Sequence, residues 1–121
     1  HFSRFQDIGL INTSSATHKV TDSAASGTAM ATGKKTYNGA IGVDTLKTPL
    51  RNITEILSDY GFSTGLVCTS SITHATPASF YAHVQQRHME EAIASQLLDS
   101  DIDLFAGGFS FINAKALVEF F

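Results

Sequence analysis

From Asp22 to Lys35 the chain reads DSAASGTAMATGKK, and between Ser23 and Thr32 only Met30 has a side chain larger than threonine. Alanine and methionine favour helix, and Gly27 weakens one only modestly. Gly33 followed by Lys34 and Lys35 suits a helix C-terminus, so the run predicts a helix over Ser23–Thr32. A helix of such small side chains gains little from a broad apolar stripe. It is useful where backbone, a ligand or a metal must come very close, and this restricts the fold to one that packs the helix tightly. Val20-Thr21 reads as the end of a short strand. Ser23 then lies at a helix N-terminus, where free N–H groups and the helix dipole favour anions such as phosphate. Two readings stay open on spacing alone. Asp22 or Ser23 is a simple N-cap over a packing helix, or Ser23 faces an anion.

The rest of the chain alternates. Asn38-Gly39 signals a tight turn, in a small hairpin or a loop. Ile53, Ile56, Leu57 and Tyr60 fall at helical spacing and predict a helix over Asn52–Tyr60, closed by Gly61. Ser63–Ser70, with Leu66-Val67-Cys68, reads as a buried strand. Thr76 as N-cap and Pro77 at the first helical position predict another helix, with an apolar stripe of Phe80, Tyr81 and Val84. Met89, Ile93 and Leu97 share a face of the next. Asp103–Ala106 is a short strand entering Gly107-Gly108, and Ala114–Phe121 begins a last helix. Strands alternating with helices argue for an α/β layer with parallel strands. Such sheets gather functional groups at the carboxyl ends of their strands.

Of the 121 residues, 43% are hydrophobic and 16% charged, a balance that excludes disorder. The length of the chain, 1–121, suggests one compact unit or a piece of one, and its first residue, His1, suggests a chain trimmed from something longer. The net charge of -3 argues against a nucleic-acid partner, which selects a basic face. No apolar run approaches a membrane span. The single cysteine, Cys68, has no internal disulfide partner and reads as a small buried side chain.

A second group of candidates lies in THATPASFYAHVQQR. His74 and Thr76 follow a predicted strand and precede a helix, where such sheets place ligands. Taken singly, Thr76 reads as a cap, His74 as a hydrogen-bonded surface histidine, and Arg87 as a complement to a helix dipole. His83 and His88 have no partner at metal-ligand spacing and read as structural. Neither an HExxH nor a paired CxxC is present.

Taken together, these stretches resemble one family. VTDSAASGTAMATGKKTYNGAIGVD is similar to the nucleophile signature of alkaline phosphatases, THATPASFYAHVQQR to a later segment of the same family, and IDLFAGG to the strand and glycine turn that follow. Order and spacing agree across Lys19–Gly108. The resemblance implies a partial three-layer α/β sandwich, a mostly parallel central sheet flanked by helices. It implies a metal-dependent phosphomonoesterase in which Ser23 takes the phosphoryl group and forms a phosphoserine. By the same resemblance, Arg87 clamps phosphate oxygens, Asp22 holds that arginine and Thr76 is a magnesium ligand. The resemblance also implies two zinc ions, at the serine and the leaving oxygen. His74 stands where many bacterial relatives have aspartate and animal enzymes commonly have histidine. It is expected beside the magnesium site rather than on the ion.

The resemblance also places an upstream aspartate ligand before this chain and the remaining zinc ligands after it, so the 121 residues alone are expected to be silent. Family members are commonly homodimers, and periplasmic, secreted or surface-anchored. The competing expectations are a non-catalytic module that binds anions or a partner, and a related phosphodiesterase or sulfatase.

Overall fold

The computed structural model describes residues 4–108. Its elements, in chain order, are α1 (Ser23–Thr32), α2 (Ile53–Asp59), β1 (Gly65–Ser71), α3 (Ala75–Ala78), α4 (Glu90–Leu98) and β2 (Leu104–Gly108). The strands pair in parallel, Gly65 opposite Leu104 and Val67 opposite Ala106, with an irregularity between Val67 and Ser71. The architecture is therefore α/β, with α3 and α4 forming the crossover between parallel neighbours, as such a pair requires. The helix expected over Ala114–Phe121 lies outside the described residues.

The small-residue run forms the expected helix. Asp22 is its N-cap, accepting from Ala25 N, and Gly33 closes it in the left-handed conformation with its N–H on Ala29 O. Ala24, Ala25, Gly27, Thr28 and Ala31 are buried, and the reason for their size is visible at Gly27. A Cβ there would stand 2.7 Å from Ser79 Oγ and 3.5 Å from the backbone of Thr76. Backbone thus approaches backbone where α1 crosses α3, and Ser79 spends its hydroxyl on Ala75 O and Ala24 O. The core continues through Ile41, Ile72, Tyr81, Val84, Ile93 and Leu97. Tyr81 donates its hydroxyl to Ile72 O, and burial pushes its phenol well above the ordinary tyrosine value.

Several sequence expectations are corrected, and the two alternatives at the Asn38-Gly39 turn are decided. Val20-Thr21 is not a strand: two residues at a bend find no neighbour to pair with, and Val20 is exposed. The Asn38-Gly39 turn belongs to a loop rather than a hairpin, because Ile41 pairs with distant Val84. The α2 capping box between Asn52 and Glu55 forms, but Ile53, Ile56 and Tyr60 are exposed and the helix buries Thr54 instead. β1 is not buried on both faces; Leu66 and Cys68 pack against the core while Val67 is 79% exposed. Cys68 is accordingly half-buried. The helix expected to start at Thr76 is capped two residues earlier, at His74, and lasts a single turn. Pro77 falls inside that first turn, where an N–H has no helical partner to lose. Tyr81 and Val84 are buried, but outside any helix.

Gly42 fixes the loop between α1 and α2. Its φ is +60°, and an added Cβ would lie 2.1 Å from Ala82 O. Gly42→Ala combines a left-handed backbone cost with a backbone collision and is expected to destabilise the protein by about 2–3 kcal/mol. Chemical denaturation of the two proteins measures this, and a loss under about 0.5 kcal/mol, the scale of an ordinary surface change, would show that the loop yields freely.

Candidate active site

The site begins with the division of labour between Asp22 and Ser23. Asp22 Oδ1 accepts from Ala25 N at 2.9 Å and so caps α1. Ser23, the first helical residue, is thereby released from capping. Its hydroxyl instead receives Arg87 Nη1 at 2.8 Å. The other carboxylate oxygen of Asp22, Oδ2, accepts from Gly39 N at 3.0 Å and from Arg87 Nη1 at 3.3 Å. Of the two readings left open at Asp22-Ser23, capping belongs to the aspartate, and the serine faces a cation.

Arg87 does not sit at a helix C-terminus. The helix α3 ends at Ala78, and the chain then turns through Phe80 N–H on Pro77 O and Tyr81 N–H on Ala78 O before Val84 pairs with Ile41. Arg87 lies in the following turn, so the dipole reading is overturned. Its second terminal nitrogen, Nη2, is 3.3 Å from His74 Nε2. A guanidinium can only donate, which makes that ring nitrogen the acceptor. The Asp22–Arg87 pair leaves 26% and 34% of the two side chains exposed. A pair so open to water contributes about 0–1 kcal/mol to stability. Its value is orientation: it turns the face carrying Nη1 and Nη2 toward Ser23 and His74.

Because His74 lies in the short connection after β1 and caps α3 with its backbone, these contacts bring Ser23 to the carboxyl end of the parallel sheet. Thr76 is the second residue of α3, exposed, with its backbone against Gly27 of α1. Ser23, Asp22, Arg87 and His74 are therefore joined by direct contacts, and Thr76 is carried beside them by the α1–α3 crossing. An open cavity of about 650 Å³, lined among others by His74, Thr76, Ser70 and Phe80, adjoins this corner.

His83 keeps a structural place. Its Nδ1 is 2.8 Å from Gly42 O and its Nε2 is 2.7 Å from Glu55 Oε1, while Gln96 meets its backbone. Two neighbours of the site escaped sequence reasoning, Asn38 and Gly39. The Asn-Gly pair announced a turn but not that the turn reaches Asp22.

The protein's relatives share this region. The sequence model of the family described as Alkaline phosphatase matches residues 1–108. Alkaline phosphatase 4 of Bacillus subtilis is 46% identical over 105 residues, covering 81% of this chain and 23% of the relative. Alkaline phosphatase of Escherichia coli K12 is 52% identical over 119 residues, covering 83% of this chain and 24% of the relative. The solved alkaline phosphatase of the Antarctic bacterium TAB5 superposes with a TM-score of 0.84 at 54% identity, over 88% of this chain and 32% of that one. A variant of the TAB5 enzyme with a histidine replaced by glutamate was solved with Mg bound in its M3 site. The chain spans about a quarter of the length of these two curated relatives. With a family match along nearly all of its length and these identities, the chain belongs to the alkaline phosphatase family.

Proposed function

We propose that the full-length protein hydrolyses phosphate monoesters through a phosphoserine formed on Ser23. The observation that carries this reading is the 2.8 Å contact between Arg87 Nη1 and the Ser23 hydroxyl at the N-terminus of α1. Ser23 Oγ attacks phosphorus, the bond from phosphorus to the ester oxygen breaks, and the alcohol leaves. Water then attacks the phosphoserine and releases inorganic phosphate. Throughout, the guanidinium edge of Arg87 is within reach of oxygens on a phosphoryl group attached to Ser23, and its planar fork matches two of them at once. The N–H groups at the start of α1 add partial positive charge to the same place.

Zinc and magnesium are proposed as the metals of the full-length protein, supported for magnesium by the Mg-bound TAB5 variant. The hydroxyls of Ser23 and Thr76 are oxygen donors of the kind magnesium accepts. Among the described residues, no group of three or more His, Cys, Asp or Glu side chains is placed to hold a metal ion. A two-zinc centre therefore does not fit these residues by themselves. A serine without an activating base or metal is a weak nucleophile at neutral pH, so the 121 residues alone are expected to be silent. The test is turnover of p-nitrophenyl phosphate, a phosphodiester and a sulfate ester by the metal-loaded full-length protein and by the 121-residue chain. Monoester turnover by the full-length protein only is the expected result. Preferred cleavage of the diester or the sulfate would replace this reading with that of a related esterase, and no turnover at all would leave a binding module.

Outward-facing Val67 and Leu104 leave one face of the two-stranded sheet open among the described residues. In the full-length protein that face is open to further parts of the same fold; a homo-oligomer is proposed on the family resemblance alone. No helix of the described residues is long and apolar enough to cross a membrane.

A further inference from the structure

We propose that Asn38 is a positioning residue for the phosphate clamp, acting through Asp22 and Arg87. This rests on the reading of Arg87 as that clamp. Asn38 Nδ2 donates to Val20 O at 3.0 Å, and its Oδ1 accepts from Asp22 N at 3.4 Å. One amide therefore grips the backbone on both sides of Thr21, immediately before the nucleophile helix. The next residue in the turn, Gly39, donates its N–H to Asp22 Oδ2. That oxygen is the one that also receives Arg87 Nη1. The Asn38-Gly39 turn thus fixes Asp22 at its main chain and at its carboxylate, and Asp22 passes that fixed position to Arg87.

The turn is itself anchored on the far side. Tyr37 donates its hydroxyl to Gln85 O at 2.9 Å, two residues before Arg87, and Ile41 pairs with Val84. Thr28 of α1 donates to Ala40 O and accepts from Gly42 N. The loop is a brace between the two segments that must meet, the start of α1 and the Gln85–Arg87 turn. Side-chain amides suit this place because a single group both donates and accepts. A carboxylate at position 38 would face the Val20 carbonyl with a second acceptor, and a hydrocarbon would hold neither partner.

Asn38 touches no reacting atom, so its effect must run through the arginine, and a double-mutant cycle on the metal-loaded full-length protein reads this directly. The probe is inorganic phosphate, measured as a competitive inhibitor. Asn38→Ala is expected to raise the phosphate inhibition constant about threefold to tenfold, the scale of one lost hydrogen bond. In the Arg87→Ala background the same change is expected to add less than about twofold, the precision with which independent effects add. Asn38→Ser is put through the same cycle alongside, since it retains a hydroxyl should the alanine protein not fold. An equal effect in both backgrounds would overturn the inference and assign Asn38 to general stability. No effect in the wild-type background would overturn it while leaving the clamp in place. If Arg87→Ala alone left phosphate inhibition unchanged, the clamp itself would be wrong and the inference with it.

Discussion

Ser23→Ala is expected to abolish turnover of phosphate monoesters by the full-length protein, by at least about 10³-fold, because it removes the atom proposed to receive the phosphoryl group. The protein should still fold. Asp22, not Ser23, caps α1, and Ser23 Oγ makes its contact with Arg87 alone among the side-chain bonds of the described residues. A mutation that spares the cap leaves the helix intact, so loss of activity with an unchanged melting temperature is the specific expectation. Two measurements decide it: rapid acid quench followed by mass spectrometry, to find phosphate on the peptide containing position 23, and calorimetry of both proteins. A phosphorylated intermediate that survives in Ser23→Ala would move the nucleophile elsewhere. Asp22→Ala makes the contrast. It removes the cap, the Gly39 contact and the Arg87 contact together, so it changes stability and phosphate binding at once.

The separation of the cap, Asp22, from the proposed nucleophile, Ser23, shows what a sequence can and cannot disclose. The helix over Ser23–Thr32 was legible because small side chains, Gly33 and the preceding acid all carry local signals. Its tight neighbour was not: nothing local says that Ser79 fills the space left at Gly27. The parallel pairing of β1 and β2 followed from the alternation of elements. How deeply they are buried did not, because alternation along Leu66, Val67 and Cys68 reflects what covers each face, and Val67 is exposed where the sequence read as uniformly apolar. The helix α2 makes the same point. Ile53, Ile56 and Tyr60 define an apolar face at helical spacing, yet the buried residue is Thr54, bonded to Asn52 and to Phe80 O. Periodicity gives the element, while the neighbouring layer decides which side faces inward.

Site legibility divides in the same way. Ser23, Arg87 and Thr76 stand in stretches whose joint order resembles one family, although each alone has an ordinary reading. Asn38 and Gly39 stand within a signal that was correctly taken as a turn. Their relation to Asp22 spans sixteen residues or more and depends on the α1-to-α2 loop folding back along α1. Thr28 contributes through its two backbone contacts to that loop, and Gly42 through a conformation and a closeness that only glycine permits. Long-range hydrogen bonds of this kind carry no periodicity and leave no local composition to read.

Arg87→Ala in the full-length protein is expected to weaken inhibition by inorganic phosphate by about 1.5–3 kcal/mol, the range for hydrogen bonds to a charged group, or roughly 10- to 150-fold. It is expected to lower kcat/KM further, by about 10²–10³-fold, since charge stabilisation by a fixed donor counts most where negative charge gathers in the transition state. Arg87→Lys separates charge from shape. Lysine restores a cation but not the fork, and it cannot present two fixed N–H groups while Asp22 Oδ2 holds one side of the group. It should recover part of the affinity for phosphate and less of kcat/KM. The stability of both variants should change by under about 1 kcal/mol, because the Asp22–Arg87 pair is partly open to solvent. The opposite pattern, a large loss of stability with unchanged phosphate inhibition, would make Arg87 a structural tie between α1 and the turn after Val84. The contact with His74 Nε2 at 3.3 Å gives the comparison one more edge. If the guanidinium plane is held from both sides, by Asp22 at Nη1 and by His74 at Nη2, then His74→Ala should loosen phosphate binding in the wild-type background and change nothing once Arg87 is gone.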